Sequence, residues 1–185
     1  MSVAAVVLAA GASRRLGRPK QLVRLGDETL LERTVRICHE AGCIPVVVVL
    51  GAAAATLCEQ CDLSDVHVVV NDEWAQGMGT SIRAGARVLG SDIEGCLILT
   101  CDMPAVSAEH LQKLMHVGDL AASAYAGRRG VPAYFPSATV GELLKLRGDE
   151  GARELLKRAR PVELAYGELD VDTTANLERM HEIFG

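Results

Sequence analysis

The sequence predicts an α/β fold, a three-layer α/β/α sandwich of Rossmann-like type, with a mostly parallel sheet and an antiparallel edge element. Up to about residue 118, short apolar runs alternate with segments of helical periodicity, and this alternation is typical of parallel sheets covered by helices. The first apolar run leads directly into a glycine-rich loop. Hydrophobic residues make up 49% of the chain but aromatic residues only 3%, which favours the aliphatic core of a sheet that is buried on both faces.

Four strand-like runs organise the first half of the chain. They are short and apolar, as buried parallel strands are, and they cover residues 6–10, 44–50, 66–70 and 96–100. Apolar residues at helical spacing predict the helices that follow them, with Gly42 as a stop signal and Ser107 as an N-cap. These helices cover residues 30–38, 52–61, 80–89 and a stretch that begins after Ser107.

The second half breaks this alternation. Two strand-like runs, at 120–126 and 131–135, are joined by residues 127–130, which predicts a hairpin or an antiparallel edge. The remaining elements are two helices, a short strand and a final helix, at residues 138–146, 150–159, 162–165 and 174–184. Since no stretch resembles a linker, the 185 residues predict a single domain, 1–185.

Composition and charge exclude several classes of protein. The formal net charge of −5 argues against nucleic-acid binding, because proteins that bind the phosphate backbone carry basic stripes. The first residues lack a basic segment, and the apolar run that follows is too short to cross a membrane. We therefore expect a cytoplasmic protein without membrane association. Cys58 and Cys61 have CxxC spacing, but neither a second such pair nor a histidine pair completes a zinc site.

The glycine loop after the first strand is the strongest functional signal. Gly11 and Gly17 bound a loop that carries Ser13, and four cationic side chains lie within seven residues of an acidic chain, namely Arg14, Arg15, Arg18 and Lys20. Glycine lets a ligand approach the main chain, and loop N–H groups beside cations suit phosphate oxygens. The spacing matches neither a P-loop nor the dinucleotide pattern GxGxxG. A solvated basic loop is the alternative.

A carboxylate follows the fourth strand. Asp102 comes after the apolar run 96–100 and precedes Met103-Pro104, at the edge of the sheet where ligands of open α/β sheets bind. A carboxylate that faces a phosphate loop needs a cation between the two anions, and Mg²⁺ binds through carboxylates together with substrate phosphates. We predict that Asp102 binds Mg²⁺; a helix-capping role is the alternative.

A second carboxylate near the carboxyl end would complete this metal site. Asp170 and Asp172 alternate along the chain, so in an extended segment both side chains point the same way. The residues do not decide between the two. As an alternative, the two negative charges could simply stabilise the last helix by their interaction with the positive end of its dipole.

Residues 71–81, after the third strand, are polar and rich in glycine. Gly77 and Gly79 would permit close approach of a ligand, and Ser81 could bond a base or ribose. An ordinary turn followed by a helix is the alternative. Trp74 is either a lid residue or part of the core.

These motifs resemble, in order along nearly the entire chain, those of the molybdenum cofactor cytidylyltransferases and the guanylyltransferases of the same cofactor. The first is LAAGASRRLGRPKQL (8–22), which resembles the family signature LAAGxSxRxGxxKxL. The others are TCDMP (100–104), the element from Asn71 to Ser81, GRRGVP (127–132), GDEGAR (148–153) and DVDTTANL (170–177). Two positions depart from the family pattern: Val131 stands where a histidine is common, and Asn176 where the family has a later aspartate.

The resemblance implies the nucleotide-diphospho-sugar transferase fold and a Mg²⁺-dependent reaction. In that reaction the phosphate of a molybdopterin-type acceptor attacks the α-phosphorus of a nucleoside triphosphate, and pyrophosphate leaves. The family's Ala-Ala-Gly accompanies cytidine users, so Ala9, Ala10 and Gly11 imply CTP. Residues 1–118 would then be the nucleotide-binding half and residues 119–185 the acceptor-side half. A molybdoenzyme or its chaperone would be a further partner.

The resemblance also implies roles for individual residues. Arg15, Lys20 and Asp102 would be catalytic, with the two cations on the phosphates, while Asp102, Asp170 and Asp172 are the metal candidates. Arg128 and Arg129 would contact the acceptor phosphate, unless they lie at a solvated hairpin tip. The expected nucleotide-binding residues are Leu8, Ala9, Ala10, Gly11, Ala12, Ser13, Arg14, Lys20, Asn71, Gly79, Ser81 and Asp102.

Three other functions remain open at the level of sequence. A guanylyltransferase of the same cofactor, or a sugar- or polyol-phosphate nucleotidyltransferase, would share the first motif. A nucleotide-binding protein that delivers a cofactor without catalysis would not need a metal-bridging carboxylate such as Asp102.

Overall fold

The computed structural model of the protein describes residues 2–150 and 152–185. Its strands are β1 (Ser2–Ala9), β2 (Arg24–Leu25), β3 (Glu28–Thr29), β4 (Val46–Leu50), β5 (His67–Val70), β6 (Ile93–Thr100), β7 (Ala121–Tyr125), β8 (Arg128–Pro136) and β9 (Arg160–Glu163). Its α-helices are α1 (Leu30–Glu40), α2 (Ala54–Gln60), α3 (Met78–Arg87), α4 (Ala108–His116), α5 (Ser137–Leu143), α6 (Arg153–Leu156) and α7 (Thr174–Phe184).

Seven of the described strands form one sheet, in the order β5-β4-β1-β6-β8-β7-β9. The pairs β1–β4, β1–β6, β4–β5 and β7–β9 are parallel, and β8 runs antiparallel to both of its neighbours. The predicted fold class is therefore confirmed. The antiparallel strand lies inside the sheet, however, because β9 returns to pair with β7 and takes the outer position.

Alternate residues of the central strand enter different cores. Ala5 and Val7 of β1 pack on one face of the sheet, with α1 and α4. Ala4 and Val6 pack on the other face, with α3. Both faces of β1 are buried and aliphatic, which explains the continuous apolar run in the sequence. A third, smaller cluster joins Leu30 to residues of the carboxyl-terminal segment, including Met180 of α7.

Two differences between the predicted and the observed elements bear on the second half of the chain. The strand predicted at 131–135 begins at Arg128, so Arg128 and Arg129 belong to β8, and the turn of the hairpin is formed by Ala126 and Gly127, both with positive φ. The helix predicted at 150–159 is only the single turn α6. A 3₁₀ turn at Gly148–Glu150 comes before it, and Gly151 of the GDEGAR motif lies outside the described residues.

Helix ends follow local capping chemistry. The predicted N-cap Ser107 accepts a hydrogen bond from the backbone N–H of His110, and Thr29 forms a reciprocal capping box with Glu32 at the start of α1. The parallel strands end at a common edge, where the loops after β1, β5 and β6 are placed together. In the described part of the chain, no helix is long and apolar enough to cross a membrane.

Candidate active site

The glycine loop is held in place by a residue that sequence reasoning missed. Gln21 is fully buried, and its Nε2 donates to the backbone carbonyls of Ala9 at 2.8 Å and Gly11 at 3.2 Å. The Oγ of Ser13 accepts from the backbone N–H of Lys20 at 3.0 Å, and Ser13 itself has a φ of 51°. Both contacts tie the loop to the segment that carries Lys20. The sequence shows only a glutamine between Lys20 and Leu22, and its burial, which reveals this role, is seen in the structure alone.

Three carboxylates from distant parts of the chain meet beside Lys20. Oxygens of Asp102, Asp170 and Asp172 all lie within 4.8 Å of one another. The Nζ of Lys20 is 2.5 Å from Asp102 Oδ2 and 2.5 Å from Asp172 Oδ1. Arg15 Nη2 lies 2.6 Å from the other oxygen of Asp172. The structure thus brings together all five of the residues predicted as catalytic or metal-binding.

The electrostatics of this cluster follow from burial and mutual contact. Burial by itself would lower the pKa of Lys20, but the charges and hydrogen bonds of Asp102 and Asp172 outweigh it and raise that pKa above its usual value. Burial also favours the neutral form of Asp172, yet the contacts with Lys20 and the charge of Arg15 lower its pKa. The pKa of Asp170 is raised by burial and by the negative charges of Asp172 and Asp102.

The carboxylate cluster has the chemistry of a divalent-metal site. Asp102 Oδ1 is buried and has no hydrogen-bond partner among the described residues, which is costly for a carboxylate unless a cation binds there. Three carboxylates with oxygens this close to one another match the hard oxygen ligands that Mg²⁺ and Mn²⁺ prefer. The donor set therefore fits a divalent cation, with Asp102 as the residue that most requires one.

The carboxyl-terminal loop is fixed to the strand end by hydrogen bonds. The backbone N–H of Val171 donates to the carbonyl of Asp102 at 2.9 Å. Asn176 Nδ2 donates to the carbonyl of Asp170 at 2.7 Å, and Thr173 caps α7. The departure from the family pattern at Asn176 thus replaces a carboxylate with an amide that holds the loop.

A cavity of about 300 Å³ opens at the carboxyl ends of β1 and β6. Seven of the predicted nucleotide-binding residues line it, and they are Leu8, Ala9, Ala10, Gly11, Lys20, Ser81 and Asp102. Trp74, Met78, Thr100, Cys101, Gln21 and Asp149 complete the lining. Trp74 therefore lines the cavity and is not simply a core residue, while its role as a lid residue stays a prediction. We call this space the nucleotide cavity.

The remaining predicted nucleotide-binding residues lie outside that lining. Ala12 and Arg14 are exposed on the loop. Asn71 is buried and donates from Nδ2 to Thr80 Oγ1 at 2.9 Å and to Ser81 Oγ at 3.0 Å. Asn71 therefore orients Ser81 instead of facing the cavity itself.

Gly77 and Gly79 are small for a reason that the sequence did not show. A Cβ on Gly79 would lie 2.7 Å from the carbonyl oxygen of Gly148, and one on Gly77 would lie 2.3 Å from Asp149 Oδ1. The close approach that these glycines permit is thus to the segment 147–149, which packs on the first turn of α3. Arg83 strengthens this contact, with Nη1 3.2 Å from the carbonyl of Leu146.

A second and larger cavity, of about 1140 Å³, adjoins the first; we call it the acceptor cavity. The two predicted acceptor-binding residues, Arg128 and Arg129, both line it, and the guanidinium of Arg128 lies over the ring of Tyr125 at 5.4 Å. Arg153 and Lys157 add two further cations. The sequence did not indicate Lys157, because i, i+4 cations on a short helix are also common on solvated faces.

The chain is similar to known proteins in both sequence and structure. The family described as MobA-like NTP transferase domain matches residues 5–163. "Nicotine blue oxidoreductase" of Paenarthrobacter nicotinovorans is 34% identical over an alignment of 198 positions that covers 96% of each chain. Molybdenum cofactor cytidylyltransferase of Escherichia coli K12 is 26% identical over 59% of this chain and 56% of its own length.

The chain is also similar to solved structures over nearly its whole length. Rv0371c of Mycobacterium tuberculosis H37Rv superposes with a TM-score of 0.88, at 31% identity, over 98% of each chain. A structure of the same protein in complex with manganese superposes with a TM-score of 0.84, at 29% identity, over 99% of this chain and 100% of that one. The glycine loop, the carboxylate cluster and the two cavities lie within the fold that these matches cover. The chain belongs to the MobA-like NTP transferase family and is a nucleotidyltransferase of that kind.

Proposed function

We propose that this protein transfers CMP from CTP to the phosphate of a molybdenum–molybdopterin acceptor and releases pyrophosphate, in a Mg²⁺-dependent reaction. The observation that carries the proposal is the meeting of Lys20, Asp102 and Asp172, with nitrogen–oxygen distances of 2.5 Å, beside a cavity lined by the glycine loop. Transfer of a nucleotidyl group requires positioning and charge neutralisation more than covalent chemistry, and this constellation supplies both.

Each part of the site has a place in that reaction. The loop from Gly11 to Ser13 presents backbone N–H groups to the β- and γ-phosphates, while Lys20 and Arg15 neutralise phosphate oxygens. Asp102, with Asp170 and Asp172, would hold Mg²⁺, which supplies charge stabilisation for the leaving pyrophosphate when it is bound. The manganese complex of a relative supports a divalent cation in this fold.

The acceptor is proposed from the size and charge of the second cavity. At about 1140 Å³, the acceptor cavity exceeds what a small sugar phosphate fills, since ligand pockets commonly measure roughly 300–1000 Å³. Its cations, Arg128, Arg129, Arg153 and Lys157, suit an anionic group. A bulky ring system that carries a phosphate fits both properties, and the resulting dinucleotide cofactor would pass to a molybdoenzyme or its chaperone.

CTP is proposed as the donor because the methyl group of Ala10, which lines the nucleotide cavity, narrows the space for a base. Guanylyl transfer to the same acceptor is the alternative, and it would use the same phosphate and metal residues. "Probable molybdenum cofactor guanylyltransferase" of Opitutus terrae is also a relative, 34% identical over 58% of this chain and 51% of its own length.

The deciding experiment measures pyrophosphate release with Mg²⁺, molybdenum–molybdopterin and each of the four ribonucleoside triphosphates in parallel. We expect release with CTP, reduced by at least about 10²-fold in Asp102→Ala, since removal of one preorganised electrostatic group typically costs that much. Asp119→Ala removes an exposed carboxylate outside both cavities and serves as the matched control.

Release with GTP alone would keep the chemistry and overturn the choice of base. Absence of release with every triphosphate would overturn the proposed reaction. Nucleotide binding without turnover, measured in the same preparation, would then favour a protein that binds nucleotides and delivers a cofactor.

A further inference from the structure

One carboxylate borders both cavities and is not used by the reaction as proposed. Asp149 lines the nucleotide cavity and the acceptor cavity, and among the described residues only Met78 shares this position. Asp149 does not belong to the carboxylate cluster, which consists of Asp102, Asp170 and Asp172. A negative charge at the junction between a triphosphate site and an anionic acceptor would repel both ligands unless it accepted hydrogen bonds from one of them.

Asp149 is held at this junction by tight packing of its backbone. Its backbone nitrogen would be 2.5 Å from a Cβ on Gly77, and the neighbouring carbonyl of Gly148 would be 2.7 Å from a Cβ on Gly79. Glycine at both positions lets the segment 147–149 settle directly on the first turn of α3. The backbone that carries the carboxylate is thus held in place. The Asp149 side chain itself is exposed, and its oxygens have no hydrogen bond or ion pair to the side chains and backbone that the structure describes.

We propose that Asp149 accepts hydrogen bonds from the ribose hydroxyls of the bound nucleoside triphosphate and thereby selects ribonucleotides over deoxyribonucleotides. This inference rests on the proposed function, in which the phosphates lie at Lys20 and the base lies near Ala10. The ribose then spans the distance between base and α-phosphate, on the side of the nucleotide cavity that opens toward the acceptor. The ribose hydroxyls, like the amino group of the base, are neutral donors that a carboxylate binds without repulsion, and they lie nearer to the α-phosphate than that amino group does.

The test uses nucleotide binding, which needs neither the acceptor nor turnover. Trp74 is the only tryptophan of the chain and lines the nucleotide cavity, so its fluorescence reports binding directly. Titrations with CTP, 2′-deoxy-CTP and 3′-deoxy-CTP in the presence of Mg²⁺ give three dissociation constants for each variant. We expect the wild-type protein to bind at least one deoxy analogue about 10- to 100-fold more weakly than CTP, as expected for the loss of a hydrogen bond to a charged group.

Asp149→Asn should reduce that discrimination to about threefold or less, because an amide oxygen is a neutral and weaker acceptor. The ratio of dissociation constants is the informative quantity. Removing a negative charge near the triphosphate strengthens the binding of all three nucleotides by the same factor, and this factor cancels in the ratio. Asp119→Asn is the matched control, since it makes the same change at an exposed carboxylate outside both cavities; its ratio should equal that of the wild type.

The outcomes separate this inference from the proposed function. If the wild-type protein binds CTP and both analogues equally, or if Asp149→Asn keeps the full discrimination, the role of Asp149 is overturned while nucleotide binding stands. If GTP quenches Trp74 and CTP does not, the same ratios with deoxy-GTP analogues decide the role of Asp149 and only the base assignment fails. If no triphosphate is bound, both proposals are wrong.

Discussion

At the scale of the residue, Lys20 shows how sequence-distant groups create the site. Its ammonium contacts Asp102 and Asp172 at 2.5 Å each, so one cation is shared by carboxylates that lie 82 and 152 positions away. The Oδ1 atom of Asp102 has no partner in the described part of the chain. Lys20 and Arg15 together bring two positive charges to three acidic side chains, and a divalent cation would compensate the charge that is left.

The choice of base depends on a single methyl group in our proposal. Ala10 is buried and lines the nucleotide cavity, so Ala10→Gly should make room for a purine. We expect the ratio of kcat/KM for CTP to that for GTP to fall about tenfold or more, as one methyl group in a tight pocket can contribute. Ala12→Gly, at an exposed position of the same loop, should leave the ratio unchanged. An unaltered ratio in Ala10→Gly would show that other residues select the base.

At the scale of the element, the contact between α3 and the segment 147–149 forms one wall of the site. The segment crosses the first turn of the helix at distances that only glycine allows. Asn71 and Arg83 extend the same wall, because Asn71 holds Ser81 and Arg83 reaches Glu73 at 2.8 Å and the carbonyl of Leu146. This wall joins α3 to the segment that carries Asp149, which borders both cavities.

Gly79→Ala should therefore destabilise the protein, although alanine normally favours a helix by about 1 kcal/mol over glycine. The added Cβ would lie 2.7 Å from the carbonyl oxygen of Gly148, so the segment 147–149 must move. We expect a net loss of about 1–3 kcal/mol in the free energy of unfolding, measured by urea denaturation, together with weaker nucleotide binding.

The matched control for this prediction is Gly141→Ala. Gly141 lies inside α5, and a Cβ there meets no atom within 4 Å. The same substitution should leave stability unchanged or raise it by up to about 1 kcal/mol. Equal effects at the two positions would show that the contact with Gly148 does not constrain α3.

At the scale of the whole molecule, a buried histidine links helix α4 to strands β7 and β8 of the sheet. His110 of α4 donates from Nε2 to Ser123 Oγ on β7 at 2.7 Å, since the Ser123 hydroxyl itself donates to the carbonyl of Pro132 on β8. Burial, and to a smaller degree the charge of Lys113, lowers the pKa of His110 to about 4. In the unfolded chain the pKa is about 6.5, so the unfolded state binds more protons between these two values.

The stability of the protein should accordingly depend on pH through His110. The neutral His110 side chain makes its full contribution to the free energy of unfolding above about pH 6.5. This contribution is lost as the pH falls toward about 4, and the loss amounts to about 2 kcal/mol at pH 5. In His110→Gln, the amide can still donate to Ser123 but does not titrate, so the pH dependence that His110 causes should be missing. The wild type should therefore lose more unfolding free energy than the variant between pH 7.5 and pH 5. Carboxylates elsewhere titrate in both proteins and cancel in that difference. Parallel pH profiles would contradict the assignment.

Much of the fold could be predicted because the signals are local. The valine-rich run that ends at Leu50 and the apolar run that ends at Thr100 are recognisable as strands from their own residues. Ser107 and Thr173 are residue types that cap helices with their side chains. The beginning of β8 at Arg128 could not be predicted, because it depends on pairing with β7. The shortness of α6 could not be predicted either, because it depends on how this turn packs against the sheet. Propensity does not contain that information.

The sequence by itself determined the fold class, the glycine loop with Lys20, and the candidate acids Asp102, Asp170 and Asp172, because each is encoded in a short stretch of chain. Only the tertiary structure decided which of them meet: that Asp172 shares Lys20 with Asp102, that Gln21 supports the loop from beneath, and that Gly77 and Gly79 receive the segment with Asp149. The physical reason is that distances between side chains far apart in sequence are fixed by the register of the sheet and the packing of both cores, which no local pattern records.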